Sequence, residues 1–130
     1  MLDFINPKIV AVIQILASLG IAQFWTTWLR TEHKEPWLPT GYVEHERCFV
    51  YPDSVLAVLM VVSAILLILG NALGERLALV CGGMMLFLVV IDTAYFLQNG
   101  MFAREKGGAE NLGLIAVLII VSLLMILRFL

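Results

Sequence analysis

Four apolar stretches close to membrane-crossing length take up most of this chain, and they constrain its fold more than any other feature. The first runs from Ile9 to about Leu29. At 1.5 Å per residue, some 20 residues reach roughly 30 Å, the thickness of a hydrocarbon core. The composition agrees: 62 % hydrophobic residues against 14 % charged ones makes the bilayer, not water, the expected solvent. The sequence therefore predicts one all-α domain, a four-transmembrane-helix bundle over residues 1–130. Its spans lie at about 8–29, 54–69, 77–98 and 111–130, and a structured loop at 30–53 joins the first two. The chain is expected to be a multi-pass integral membrane protein. Formal net charge is −2 with no run of like charge, so nucleic-acid binding is set aside.

Local signals mark the ends of the spans. Asn6 and Pro7 suit a helix start, Asn as a cap and Pro at a position whose N–H would lack a partner anyway. Trp25 and Trp28 close span one as interfacial rings do. Gly20-x-Ala22 would also serve as a leader-peptide cleavage site, but Asp3 weakens the preceding region and the apolar run continues past Ala22. Pro52 or Ser54 is expected near the first turn of span two, with Asp53 beside the positive helix end. Gly70 to Arg76 reads as a tight connection, which makes spans two and three antiparallel neighbours. Ala78-x-x-x-Gly82 offers a helix-packing face that Gly83 would widen, and it gives a homo-oligomer somewhere to pack. Asn111 is expected to cap span four.

Four spans put both termini on one side. The 30–53 loop, the end of span three and the Gln98–Glu110 loop then share the other. Lys and Arg do not decide orientation, with five on the loop side against about four positive groups on the terminal side.

Asp92 is the least ordinary residue in the chain. It lies six residues before the end of its span, roughly 9 Å below the loop-side surface. An acid at that depth suggests a proton relay, a cation contact or a ligand anchor, or else a structural acid bonded to a neighbouring helix. Tyr95 and Asn99 follow at i+3 and i+7 on its face, with Gln98 beside them, and Gln23 of span one falls at a similar depth with Thr26 and Thr27. Tyr95 could equally be an interfacial anchor. In the loop, His33, Glu44, His45 and Glu46 are candidate contacts. Transition metals take such side chains, yet His45-x-x-Cys48 with a separate His33 matches no ligand spacing, so no metal or other cofactor is expected. Cys48 and Cys81 belong to opposite ends of the bundle, roughly 20 Å apart, which excludes a disulfide or dithiol centre.

Gly74-Glu75-Arg76, the apolar run after it, and Asp92-x-x-Tyr95-x-x-Gln98-x-Gly100-Met101-Phe102 resemble small uncharacterised four-span prokaryotic membrane proteins. The resemblance covers spans two and three. It implies a prokaryotic cell membrane as the location and no activity, and it draws attention to Asp92, Tyr95 and Gln98. Small four-helix drug exporters are similar in size, but they carry their key acid in the first span, where this chain has none after Asp3. With no nucleophile–base set and no phosphate loop, the expected role is a binding or accessory protein engaging a membrane partner, lipid or small ligand. The alternative is a small oligomeric proton- or ion-coupled transporter using Asp92. A membrane enzyme built on the His/Glu/Cys loop is the least supported reading.

Overall fold

In a computed structural model describing residues Met1–Leu130, the chain is entirely helical apart from its turns. Its helices are α1 (Pro7–Arg30), α2 (Tyr42–Arg47), α3 (Val50–Ile68), α4 (Ala72–Gln98) and α5 (Gly108–Phe129), with one 3₁₀ turn at Arg104–Lys106. The segments Pro7–Arg30, Tyr42–Ile68, Ala72–Gln98 and Gly108–Phe129 are long and apolar enough to cross a membrane, the pattern of a multi-pass membrane protein.

Helix starts follow from where backbone donors find partners. The Asn6 side chain accepts from Lys8 N and Pro7 opens α1, as expected. α3 begins four residues earlier than the sequence suggested, with Pro52 third in the helix, where its missing N–H is one of the four that never find an intrahelical acceptor. α4 begins at Ala72, capped by the Asn71 side chain on Leu73 N, so the turn before it shrinks to Leu69-Gly70-Asn71 with Gly70 at φ +72°. Glu75 and Arg76 thus belong to the helix rather than the connection. Asn111 does not cap α5. Gly107 takes that place in the left-handed conformation, and the Asn111 amide instead donates to the Met101 carbonyl at 2.7 Å, tying α5 to the loop before it.

The four long helices pack in chain order, α1 on α3, α3 on α4 and α4 on α5. α1 and α5 touch slightly, near the termini, where Leu2 N donates to Leu127 O and Arg128 Nε to Ile5 O. There a buried polar chain runs across the bundle. Gln14 Nε2 donates to Ser63 Oγ at 3.1 Å and approaches Met125 Sδ at 3.5 Å, while Ser63 Oγ donates to Gly74 O at 2.8 Å. Gln14, Ser63 and Met125 are all 0 % exposed, so these bonds are shielded from solvent and fix the register of four helices at once.

Ala78 and Gly82 are helix-packing residues, but of this bundle. A Cβ on Gly82 would lie 2.8 Å from Ile126 Cγ1 and 3.0 Å from Ser122 O, so α5 occupies that face. Gly83 points away, with nothing within 4 Å. The expected close approach at Gly82 is thus made by α5 of the same chain.

Candidate functional site

Four aromatic side chains and two histidines hold the 30–53 segment against the bundle. Trp28 of α1, 6 % exposed, donates from Nε1 to Tyr42 Oη at 3.3 Å. His33 stacks on the Trp28 ring, centroids 4.3 Å apart, and its Nε2 lies 3.0 Å from the Trp28 carbonyl. A carbonyl can only accept, so Nε2 carries the proton there. On the far side, His45 of α2 lies flat on Tyr95 of α4, centroids 3.9 Å apart and planes 9° apart, with Phe49 at 5.3 Å. The loop is a packed cap over the end of α4.

Beneath this cap three acids converge. Asp53, in the first turn of α3, accepts from Trp25 Nε1 at 2.8 Å. Asp92 of α4 and Glu46 of α2 are half-buried and make no hydrogen bond within the chain. Glu46 lies within electrostatic reach of both Asp92 and Asp53, and Asp92 within reach of Asp53. No Lys or Arg answers them: the chain's ion pairs are Met1–Asp3 at 3.4 Å and Lys34–Glu32 at 2.6 Å, both exposed. His45 Nε2, buried beside Glu46, has no partner either. Three acids with no Lys or Arg paired to them, beside an unpartnered imidazole, make a place that suits a positively charged or hydrogen-donating group.

Toward the bundle centre the acids give way to apolar side chains. Leu56 and Met60 of α3 and Met85 and Val89 of α4, each at most 2 % exposed, follow Asp53 and Asp92 into the bundle. This apolar layer separates the acids from the Gln14–Ser63 chain, ten residues or about 15 Å along α3.

The sequence candidates divide accordingly. Asp92, Tyr95, His45 and Glu46 come together. Asn99 does not join them. Its amide caps α4 by donating to Tyr95 O at 2.9 Å, and its carbonyl accepts from Lys106 Nζ at 3.3 Å. Gln98 and Glu44 are exposed, and His33 is spent on Trp28. Gln23 faces away from the core, so the polar group that α1 contributes is the Trp25 indole rather than Gln23, Thr26 or Thr27. Cys48 is exposed and Cys81 buried, both free thiols. No three His, Cys, Asp or Glu side chains converge as metal ligands would.

Sequence reasoning missed Asp53 and Trp25 as site residues and Gln14 and Ser63 as a core network. A signal was present. Gln14, Ser18, Trp25 and Trp28 fall on one helical stripe, and hydrogen-bonding groups repeated along a stripe of a spanning helix mark its protein-facing side. No protein-family model matches the chain, and no curated protein or solved structure is significantly similar to it.

Proposed function

We propose that this is a membrane binding protein whose loop-capped acidic cluster receives a positively charged or hydrogen-donating group of a membrane partner, lipid or small ligand. The observation that carries the reading is the pairing state of the acids: Asp92 and Glu46 lie half-buried beside Asp53 without a basic residue or hydrogen-bond donor of their own. A carboxylate in that position gains from an incoming cation what this fold does not supply. The four apolar crossings support a multi-pass membrane protein, and a prokaryotic cell membrane is proposed as its location.

The competing role, an ion-coupled carrier using Asp92, needs a path past the acids. Leu56, Met60, Met85 and Val89 leave one copy of the chain without one, so an oligomeric carrier would have to build its path between copies. Binding is therefore the better supported reading.

The test uses the indole beside Asp53 as a reporter. Purified protein in mild detergent is titrated with a short alkylammonium ion and, separately, with the alkylsulfonate of equal chain length, while tryptophan emission is followed. The expected result is a saturable response to the cation alone, weakened about tenfold or more by Asp92→Asn, which corresponds to losing one charged contact. A response indifferent to the sign of the probe, or unchanged in both Asp92→Asn and Glu46→Gln, would overturn the proposal.

A further inference from the structure

α1 carries a second polar stripe, on the face that no other helix covers. Gln23 lies nine residues beyond the buried Gln14, about two and a half turns, and so points directly away from the core. Leu16, Gly20, Gln23 and Thr27 are all exposed and follow one another at spacings of four, three and four residues, the 3.5-residue repeat of a helix–helix seam. Around Gly20, Gln23 and Thr27 the surface is indented by a cleft of about 400 Å³ that continues to Thr31 and His33. A Cβ on Gly20 would meet nothing within 4 Å.

The polar groups on this stripe are unspent. The Thr26 and Thr31 hydroxyls donate to carbonyls of their own helix, each at 2.7 Å, but the Gln23 amide and the Thr27 hydroxyl have no partner within the chain. Gln23 lies seven residues before Arg30, about 10 Å below that end of the helix, with Trp25 and Trp28 between it and the surface. A primary amide facing hydrocarbon is costly unless another protein group pairs with it.

We infer that this face of α1 is a self-association surface, on which a second copy of the chain docks with Gln23 against Gln23. The complementarity of the amide argues for a second copy. In two copies inserted the same way round, a two-fold axis runs along the membrane normal and equivalent residues meet at equal depth. A group can pair with its own image there only if it both donates and accepts. The amide does so, and a single polar residue in an otherwise apolar or small-residue seam also sets the register of the pair. Gly20, one turn deeper, lets the two backbones approach, and the Thr27 hydroxyl lies where the helices meet one turn nearer the surface. This surface lies on the face of α1 away from Trp25 and the acidic cluster, and stands or falls independently of that cluster.

Cysteine cross-linking in native membranes tests the inference, in a Cys48→Ser background so that no other exposed thiol remains. The Trp25–Asp53 bond sets α1 and α3 level, so Tyr51 matches Thr27 in depth. At 77 % exposed, Tyr51 gives a control site on the other face of the bundle. Oxidation of Thr27→Cys should give a covalent dimer and Tyr51→Cys should not. Adding Gln23→Leu should weaken the dimer roughly tenfold, and Gln23→Asn, which keeps a self-complementary amide, should restore most of it. Because Gln23 touches no core residue, thermal unfolding of the two Gln23 variants should match that of the parent. Equal cross-linking from Thr27→Cys and Tyr51→Cys, a yield unmoved by Gln23→Leu, or a Thr27→Cys adduct formed only with a different protein would each overturn the inference.

Discussion

Trp25 shows how one side chain can do two jobs that look alike in a sequence. A tryptophan near the end of a spanning helix reads as an interfacial anchor, yet its ring is 6 % exposed and its N–H is the one hydrogen bond the Asp53 side chain accepts. Hydrogen bonds to a charged acceptor away from bulk water contribute about 1.5–3 kcal/mol, so Trp25→Phe should lower stability by that much, measured by thermal unfolding in one detergent. Asp53→Asn, which still offers an oxygen to the indole, should cost less. Asp92 was legible because an acid in an apolar run stands out whatever surrounds it. Asp53 was not, because an acid in the first turn of a helix already has a sufficient local explanation. Glu46 was legible only as a candidate among several loop residues. Nothing in its neighbours reveals that α2 turns it inward while leaving Glu44 exposed.

Among the helices, apolar pattern located all four crossings, and their boundaries were less visible for a physical reason. Hydropathy reports contact with lipid, whereas a helix continues until its caps stop it. The first turns of α3 and α4 carry Asp53, Glu75 and Arg76 and are helical all the same. Small-residue spacing likewise predicted close approach at Gly82 but could not name the approaching helix. Two adjacent glycines make that distinction measurable. Gly82→Ala puts a methyl against Ile126 and the Ser122 carbonyl and should cost about 1–3 kcal/mol by prying α4 from α5. Gly83→Ala meets empty space and should be neutral or gain up to about 1 kcal/mol in helix propensity. Unfolding of both variants in the same detergent checks the pair. A larger loss at Gly83 would mean that the helix is rotated from its described packing.

At the scale of the whole molecule, four crossings bring Leu2 beside Leu127 and leave the α2 cap at the opposite end. A membrane-impermeant maleimide should therefore modify Cys48 from one side of sealed vesicles only. Tags on either terminus should be reached only from the other side, and Cys81 should react only after unfolding. Termini and Cys48 accessible from the same side would contradict this topology. The charge count could not choose which side is which, since five Lys and Arg on one side face three and the amino terminus on the other. The order in which the helices pack also bears on how the protein is made. Because α3 rests on α1, α4 on α3 and α5 on α4, every helix leaving the ribosome finds its neighbour already in the membrane. No segment has to wait for a distant one to be synthesised. Only the Gln14–Met125 contact and the junction of the two termini must await the last turn of α5. The last turn of α5 thus acts as a latch on a bundle otherwise assembled one helix at a time.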